Sequence, residues 1–306
     1  MPWVAFDRPG MRCTVWRMPI PALTSTFATA GEGLKATVRL NNGVRMPWLG
    51  LGVFQIPQDA EAAAVVRQAV DLGYRSIDTA ALYRNERGVG EAVRHCGVPR
   101  DQLFITTKVW NDDIRAGRVE AAFAESLERL GLEQLDLYLL HWPIAGRSVA
   151  AWRSMEKIYR TGRVRAIGVS NYMIPHLDEL LQAAEIPPAV NQIEFHPYLQ
   201  SRPLVLYCQQ RGIQVEAWSP LQQAGSLLRD PEITALARRR GKTAAQVVLR
   251  WEVQSGVVTI PKSVHPARLA ENAGIFDFSL SAAEMAVLER LDRNERNGAN
   301  PFNFSF

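Results

Sequence analysis

The sequence predicts an α/β fold of the TIM (β/α)8 barrel type, because eight strand-like segments alternate with helical segments. These segments lie near residues 48–53, 74–78, 103–108, 135–140, 164–169, 189–193, 213–217 and 257–260. Eight strands close such a barrel, and the repeat covers about 250 residues, the usual size of the fold. In addition, ionisable side chains follow three consecutive strands, as expected at the end of a barrel that holds the active site.

Residues 1–36 precede the repeat and look separate from it. They combine four prolines with scattered Trp, Thr and Ala, show neither a period of 2 nor one of 3.6, and lack the apolar run of a secretory signal. We expect a disordered extension here, or a start codon placed too early with Met11 or Met18 as rival starts. Residues 37–306 are expected to form a single barrel domain.

Local signals predict the elements around the strands. Asn41-Asn42-Gly43 separates residues 37–40 from 44–47 and predicts an N-terminal β-hairpin, because Asn and Gly tolerate positive φ. Helical segments at 59–73, 117–131 and 148–162 each end with a glycine, as helices often do. An extra C-terminal helix near 282–291 and a tail ending in PFNFSF follow the repeat.

Composition argues against several classes of protein. The chain has 47% hydrophobic and 22% charged residues, a formal net charge of +4 and a pI of about 9.1. No dense run of Lys and Arg with interleaved aromatic residues occurs, so we expect no nucleic-acid partner. No apolar run reaches membrane-spanning length, so we expect no membrane partner. The three cysteines form no CxxC, which favours reduced thiols in a cytoplasmic protein.

Four polar side chains end the second, third and fourth predicted strands or follow them closely: Asp78, Tyr83, Lys108 and His141. Each type has an ordinary explanation, such as a helix-capping aspartate, a half-buried loop tyrosine, a solvated lysine or a satisfied core histidine. Four such side chains on adjoining strands are not expected by chance. A lysine at the end of a buried strand also needs a partner. The set therefore predicts one active-site face.

These residue types can deliver a proton to a carbonyl group. A tyrosine hydroxyl titrates near ~10 and is too weak an acid at neutral pH without help. We expect Lys108 to lower the pKa of Tyr83 by stabilising its phenolate, and Asp78 to hold the lysine charged and oriented. A neutral His141 can donate a hydrogen bond to a substrate carbonyl and fix its approach. None of the four supplies a hydride, so a cofactor must.

Two other kinds of site are not supported. Gly50-Leu51-Gly52 resembles the start of a dinucleotide fingerprint, but Gln55 stands where the third glycine belongs. No early βαβ unit with a ribose-binding acid follows, so we expect these glycines to permit tight packing at the first strand. The five histidines show no metal-ligand spacing, and we expect no metal.

The order of short blocks along the chain resembles the aldo-keto reductase superfamily. The blocks are IDTAALYRNERGVGEAV, LFITTKVWND, LDLYLLHWP, IGVSN, AVNQIEFHP, EAWSPL and IPKSVHPARLAEN. The similarity runs from about residue 37 to 296 and looks strongest to the bacterial 2,5-diketo-D-gluconic acid reductases. It implies a catalytic tetrad of Asp78, Tyr83, Lys108 and His141, with Tyr83 as general acid. The steroid double-bond reductases of the superfamily have Glu in place of this histidine, so His141 favours carbonyl reduction.

The resemblance also implies NADPH as cofactor, bound extended over the barrel mouth without a Rossmann domain. Ser170, Asn171 and Gln192 would bind the nicotinamide carboxamide. Trp218 would stack on the ring, although a core position would also explain a buried tryptophan. The remaining contacts would be Ser219 and Leu221 at the pyrophosphate, Lys262, Ser263 and Arg268 at the 2′-phosphate, and Glu271 and Asn272 at the adenine. A basic pair six residues apart is commonly a solvated helix start, but after the eighth strand it indicates a phosphate site and favours NADPH over NADH.

The substrate pocket is expected to be lined by four side chains that follow strands: Phe54, Trp110, His141 and Trp142. Trp152 and Trp251 lie in helical segments and are predicted core residues. The loops after the third and fourth strands are short, so we expect an open, shallow pocket for small polar carbonyls. Gln222-Gln223 departs from the resemblance, because a glycine-containing turn is common there. Because of this departure, the sequence leaves open how that loop binds and releases NADPH.

The sequence therefore predicts an NADPH-dependent reductase of small aldehydes, α-dicarbonyls or keto-sugars such as 2,5-diketogluconate, acting as a monomer. Two other classes stay open. One is a non-catalytic NADPH-binding barrel that serves as a regulatory or structural subunit. The other is a barrel aldolase in which Lys108 forms a Schiff base, although Asp78 and Tyr83 beside it fit the reductase better.

Overall fold

In a computed structural model that describes residues 33–304, eight parallel strands form a barrel with helices around it, and a hairpin precedes them. The strands are β1 (Thr37–Arg39), β2 (Arg45–Pro47), β3 (Leu51–Gly52), β4 (Ser76–Asp78), β5 (Phe104–Val109), β6 (Leu135–Leu140), β7 (Val164–Ser170), β8 (Val190–Glu194), β9 (Gln214–Trp218) and β10 (Val258–Thr259). The α-helices are α1 (Asp59–Asp71), α2 (Glu86–His95), α3 (Asn111–Arg115), α4 (Val119–Leu130), α5 (Ser148–Arg160), α6 (Ile174–Ala183), α7 (Arg202–Gln210), α8 (Pro231–Arg240), α9 (Ala244–Gln254), α10 (Pro266–Ala273) and α11 (Ala282–Glu289). The predicted barrel with its hairpin and last helix is confirmed, and every predicted strand overlaps an observed one.

Each barrel strand pairs in parallel with the next along the chain, from β3 to β10. The first and last strands meet where Gly50 N donates to Thr259 O at 2.9 Å and Thr259 N donates to Trp48 O at 3.0 Å. Glycine is needed at this seam, because a Cβ on Gly50 would lie 2.9 Å from Ser76 Oγ. This agrees with the expected tight packing at the first strand. Because all eight strands run in one direction, their carboxyl ends share one mouth.

The helices cover the outside of the barrel with one apolar face each. For example, α4 buries Val119, Phe123 and Leu127, which recur every four residues, and leaves Glu128 exposed. It ends at Gly131, whose φ of 62° is the left-handed conformation that glycine adopts without strain. The predicted glycine end of this helix is therefore confirmed.

The hairpin covers the amino-terminal end of the barrel. Its turn contains Gly43 with a φ of 88°, and Leu40 N donates to Val44 O at 2.8 Å. Asn41 Nδ2 donates to Pro188 O at 3.0 Å, just before β8, and Asn42 Nδ2 to the backbone of β7 at 2.9 Å. The asparagines that predicted the turn thus also attach it to the barrel, at the end opposite the mouth.

Residues 33–36, which the sequence placed in the N-terminal extension, have a defined structure. Gly33–Lys35 form a 3-10 turn, and Ala36 is buried in the core. The expected extension therefore does not include residues 33–36, and its remaining part, 1–32, lies outside the described residues. Trp152 and Trp251 are fully buried, as predicted for core residues.

The segment after α11 runs back toward the barrel mouth. It is held by Glu194 at the end of β8, which accepts hydrogen bonds from the backbone N–H groups of Asn297 and Gly298 and contacts Arg296 at 3.4 Å. Farther along, the ring of Phe304 lies 4.7 Å from that of Trp142, centroid to centroid. The tail that the sequence left outside the repeat thus contacts Trp142, which follows β6, and the segment before it contacts Glu194, the last residue of β8.

Residues 33–304 show no sign of a membrane span, a metal site or a disulfide bond. No helix in this range combines the length and the apolarity that crossing a bilayer requires. Within it, no group of three or more His, Cys, Asp or Glu could hold a metal ion. Both of its cysteines, Cys96 and Cys208, are free thiols.

Candidate active site

Lys108 is the centre of a buried cluster at the barrel mouth. β4 ends at Asp78 and β5 carries Lys108, so two neighbouring strands bring the side chains together. Lys108 Nζ donates to Asp78 Oδ1 at 2.6 Å and to Thr79 O at 2.9 Å. It also lies 3.4 Å from the hydroxyl oxygen of Tyr83. Three contacts match the three N–H groups of an ammonium, so this fully buried lysine has the partners it needs.

A short 3-10 turn, Ala81–Tyr83, presents the tyrosine to this cluster. The turn ends at Arg84 in the left-handed conformation, with a φ of 58°. The fully buried Asn85 anchors it by donating from Nδ2 to Val53 O and Ile56 O, both at 2.9 Å. Asn85 was not among the residues predicted from the sequence, because an asparagine at the start of a helix is usually an ordinary cap.

Charges within the cluster favour a protonated lysine. Burial by itself lowers the pKa of Lys108, but Asp78 and Tyr83 outweigh burial and raise it above its ordinary value. For Asp78, burial outweighs the opposing effect of the Lys108 cation and raises the pKa above its ordinary value. With Nζ and Oδ1 2.6 Å apart and both side chains buried, the two groups form an ion pair.

The pKa of Tyr83 differs from the expectation. Burial raises it, the Lys108 cation lowers it, Asp78 raises it, and the net result is a pKa above 10.0. The lowering by Lys108 that the sequence predicted is present as one contribution, but it does not outweigh burial. Tyr83 consequently keeps its proton at neutral pH.

His141 follows β6 directly and is neutral. Burial, and then the Lys108 cation, lower its pKa well below 6.5. Its ring lies edge-on to the rings of Tyr83, at 5.9 Å, and Trp110, at 5.1 Å, between centroids. Its Nδ1 has no hydrogen-bond partner among residues 33–304. The structure thus brings the four predicted tetrad residues together, and their catalytic roles stay predictions.

The residues predicted to bind nicotinamide meet at the ends of β7, β8 and β9. Ser170 Oγ donates to Gln192 O at 3.0 Å, and Trp218 Nε1 donates to Asn171 Oδ1 at 2.9 Å. Asn171 Nδ2 in turn donates to His141 O and to Ser170 Oγ. Both amide protons of Asn171 are thus used within the protein, and its side chain fixes the plane of the Trp218 ring.

The residues predicted to bind the phosphates and adenine follow β9 and β10. Ser219 has a φ of 53° and a buried Oγ without a hydrogen-bond partner in the part of the chain described. Lys262 and Arg268 are exposed and form no ion pair there. Glu271 Oε1 accepts a hydrogen bond from Thr243 Oγ1 at 2.6 Å. The other predicted contacts are a half-buried Leu221 and two buried polar residues, Ser263 and Asn272.

Aromatic rings surround the tetrad. Phe54 is 47% exposed, and its ring lies 5.0 Å from that of Tyr83. Trp110 lies beside His141, as described above, and the nearly buried Trp142 packs on Phe304. Phe304 was not among the site residues predicted from the sequence. The only signal was the phenylalanine-rich tail, which nothing local could place at the mouth.

The loop after β9 keeps its turn without the glycine that was expected there. Gln222 and Gln223 have φ values of 49° and 53°, in the left-handed region. The Gln222 side chain donates to Glu295 Oε1 at 3.0 Å and accepts from Leu227 N at 3.3 Å. The glutamine thus adopts the backbone of a glycine turn and ties the loop to the C-terminal segment.

Comparisons with known proteins identify the relatives of this chain. The sequence model of the aldo/keto reductase family matches residues 48–293. Glyoxal reductase of Bacillus subtilis (strain 168) is 54% identical over 268 residues, covering 88% of this chain and 97% of that protein. Methylglyoxal reductase DkgA of Escherichia coli (strain K12) is 44% identical over 270 residues, covering 87% and 97%. A crystal structure of an aldo-keto reductase complexed with NADPH is 37% identical with a TM-score of 0.80, covering 86% and 89%. The names of these reductases refer to glyoxal and methylglyoxal, not to the 2,5-diketogluconate that the resemblance suggested.

Proposed function

The chain belongs to the aldo/keto reductase family, and we propose that it reduces small aldehydes and α-dicarbonyls to alcohols with NADPH. Glyoxal and methylglyoxal, which appear in the names of relatives, are the first candidate substrates. The sequence blocks suggest a more specific alternative substrate, the keto-sugar 2,5-diketogluconate. The observation that carries the proposal is the buried Lys108, which contacts both Asp78 and the hydroxyl of Tyr83.

Tyr83 would act as the proton donor. Its raised pKa keeps the hydroxyl protonated at neutral pH. Lys108 Nζ, 3.4 Å from that oxygen, would stabilise the phenolate left when the proton moves to the carbonyl oxygen. The neutral His141 would donate a hydrogen bond to the same carbonyl oxygen and orient it. When bound, NADPH supplies the hydride that reduces the carbonyl carbon.

Several features of the mouth fit this cofactor. The buried Ser219 Oγ, without a partner among residues 33–304, can donate to a phosphate oxygen. Lys262 and Arg268 are exposed cations without an ion pair in that range, and they suit the 2′-phosphate that distinguishes NADPH from NADH. Trp218, held by Asn171, offers a fixed ring for stacking. We therefore propose a preference for NADPH.

The rival classes are weakened by the same geometry. A Schiff-base lysine must be neutral and nucleophilic, whereas Lys108 is paired with Asp78 and has a raised pKa. A non-catalytic barrel has no need of a buried charged cluster beside a protonated tyrosine, because buried charges are costly. The aldolase and the binding barrel are therefore the alternatives that the following experiment must exclude.

The test measures loss of NADPH absorbance with glyoxal, methylglyoxal and 2,5-diketogluconate, and NADPH binding by quenching of tryptophan fluorescence. We expect Tyr83→Phe to lose about 10²–10⁴-fold in kcat, the usual contribution of a general acid, with an unchanged Kd for NADPH. Tyr138→Phe is the matched control, because it removes a buried hydroxyl that has no hydrogen-bond partner among residues 33–304.

Four results would overturn parts of the proposal. A fully active Tyr83→Phe would exclude Tyr83 as proton donor. A wild type that binds NADPH but reduces no carbonyl would indicate the binding barrel. A wild type that binds no NADPH would show that Lys262 and Arg268 are misassigned. Trapping of an adduct on Lys108 by borohydride would favour the aldolase.

We also propose that the protein acts as a monomer in the cytoplasm and that its barrel carries the activity without residues 1–32. All the predicted site residues come from one chain, and the free thiols of Cys96 and Cys208 suit a reducing compartment. Size-exclusion chromatography with light scattering tests the oligomeric state. Deletion of residues 1–32 should leave kcat unchanged, and a loss of activity in a folded deletion variant would contradict this.

A further inference from the structure

β9 places a buried carboxyl group next to the Asp78–Lys108 pair. Glu216 is fully buried and precedes Trp218 by two residues, so both side chains lie on the same face of the strand. Its Oε2 accepts a hydrogen bond from Gln192 Nε2 at 2.8 Å, and its Oε1 has no hydrogen-bond partner within residues 33–304. The mechanism above assigns no task to Glu216. A buried carboxyl group with so few partners is costly, so its presence needs an explanation.

Glu216 and Asp78 lie so close together that ionisation of one disfavours ionisation of the other. Gln192 Nε2 also donates to Asp78 Oδ2 at 2.8 Å, so two carboxyl groups meet at one nitrogen. The charged or titratable groups that face Glu216 are Asp78 on β4, Lys108 on β5 and Tyr83 in the turn after β4. The lysine cation contacts Asp78, at 2.6 Å, so Asp78 keeps the charge. Burial, and then the charge of Asp78, raise the pKa of Glu216 to about 8.

The ionised Asp78 fixes the orientation of the Gln192 amide. A carboxylate can only accept hydrogen bonds, so Gln192 must turn its nitrogen and not its oxygen toward Asp78. The second proton of the same nitrogen goes to Glu216 Oε2. Both donors of the amide are then used inside the barrel, and Oε1 is the only polar side-chain atom of Gln192 left to meet a ligand.

We propose that Glu216 is a positioning residue of the reductase, which as a neutral acid holds the Gln192 amide with its oxygen toward the cofactor. Within residues 33–304, Asp78 is the only carboxylate that forms an ion pair with Lys108. The inference rests on the proposed function, in which Gln192 meets the nicotinamide carboxamide. An acceptor oxygen at Gln192 matches the NH2 group of that carboxamide.

Ionisation of Glu216 would disturb the tetrad. A second negative charge beside Asp78 raises the pKa of Tyr83 further, which makes the phenol a weaker acid. Glu216 is neutral below a pH of about 8 and charged above it. Reduction by the wild type should therefore become slower as the pH rises through about 8.

Glu216→Gln tests this directly, because a glutamine accepts the same hydrogen bond but does not ionise. We expect the variant to keep kcat at pH 6.5 within about twofold of the wild type, and its alkaline fall in kcat to begin at least about one pH unit higher. Glu252→Gln is the matched control, since Glu252 is a fully buried acid of raised pKa on α9, and it should keep the wild-type profile. An alkaline limb in Glu216→Gln that coincides with the wild type overturns the inference.

A second measurement asks whether Glu216 acts through Gln192. Glu216→Ala frees the amide to turn, and we expect its Kd for NADPH to rise about tenfold, as for a lost buried hydrogen bond. The double variant Gln192→Ala/Glu216→Ala should bind NADPH no worse than Gln192→Ala alone. Losses that simply add would show that Glu216 acts by another route and would refute the inference.

The two proposals can fail separately. If the wild type binds NADPH but reduces no carbonyl, the proposed function fails, and the comparison of Kd values still decides the role of Glu216. If the wild type reduces carbonyls but Glu216→Gln keeps the wild-type pH profile, only the inference fails. If no NADPH binds, both fail.

Discussion

Asp78→Asn removes the counter-ion of a buried lysine and leaves the shape of the side chain almost unchanged. In the wild type the Asp78 and Lys108 side chains are 2% and 0% exposed, and Oδ1 and Nζ are 2.6 Å apart. Burial lowers the pKa of Lys108, and Asp78 is the largest influence that raises it. Without Asp78 we expect the lysine either to remain charged at a high cost or to lose its proton at neutral pH.

The cost can be estimated from the burial of the pair. Removing one partner of a buried ion pair costs about 3–5 kcal/mol, and loss of the Lys108 proton keeps the cost near the lower end. For a domain of this size about 3 kcal/mol corresponds to a fall in Tm of about 6–12 °C. The double variant Asp78→Asn/Lys108→Met removes both charges and should recover part of that loss, because replacing a whole buried pair is often neutral.

The wild type and the two variants should therefore rank differently in thermal unfolding and in NADPH oxidation. Both variants should be almost inactive, because the double variant has no cation beside Tyr83 and Asp78→Asn lacks the partner that keeps Lys108 protonated and in place there. Asp136→Asn is the matched control, since Asp136 is 1% exposed but its partners Arg100 and Arg165 are 32% and 38% exposed and can return to water. A Tm of Asp78→Asn within about 2 °C of the wild type would refute the estimated cost. A double variant less stable than Asp78→Asn would refute the argument that the unpaired charge is what destabilises.

Three further substitutions test two contacts at the mouth and one between two helices outside the barrel. Gly298→Ala should displace the Trp218 ring, because the added Cβ would overlap its Cη2. We expect the Kd for NADPH, measured by fluorescence quenching, to rise about tenfold, and an unchanged Kd would contradict this packing. Lys262→Ala should weaken NADPH binding about tenfold and leave NADH binding unchanged, since the lost contact is to a charged phosphate; equal losses in titrations of both cofactors would exclude this site. Gly90→Ala should cost about 1–3 kcal/mol in urea unfolding, because its Cβ would overlap Leu130 O where α2 meets the end of α4, and a gain in stability would mean that helix propensity dominates.

The sequence was sufficient to place Asp78 and Lys108 side by side because parallel strands leave little freedom. Once Ser76–Asp78 and Phe104–Val109 are recognised as consecutive strands of one barrel, their carboxyl ends must be neighbours. The alternation of strands and helices, and the glycines that end the helices, are local signals of the same kind. Local signals therefore predicted the fold and the closeness of Asp78 and Lys108.

Contacts between distant segments could not be predicted in this way. Gln192 reaches Asp78 across 114 positions of sequence, and Glu194 reaches the backbone of Asn297 across 103. A period of two places Gln192 and Glu216 inside the barrel, but the stagger of the strands decides which side chains meet. The pKa of Tyr83 shows the same limit. The residue types alone predicted that Lys108 lowers this pKa. Burial raises it by more, and the extent of burial depends on the three-dimensional packing.

The glutamine pair after β9 shows how a departure from the expected turn is compensated by distant contacts. A left-handed φ in a residue with a Cβ costs about 1 kcal/mol or more, and both Gln222 and Gln223 adopt one. The side chain of Gln222 offsets this cost with hydrogen bonds to Leu227 N and Glu295. Glu295 belongs to the same C-terminal segment that Glu194 holds through two backbone N–H groups. The strained loop is therefore kept in place from outside the barrel, while the buried bonds of the tetrad do not depend on it. Breaking the contact with Glu295 would relax the loop and leave the cluster of Asp78, Tyr83 and Lys108 intact.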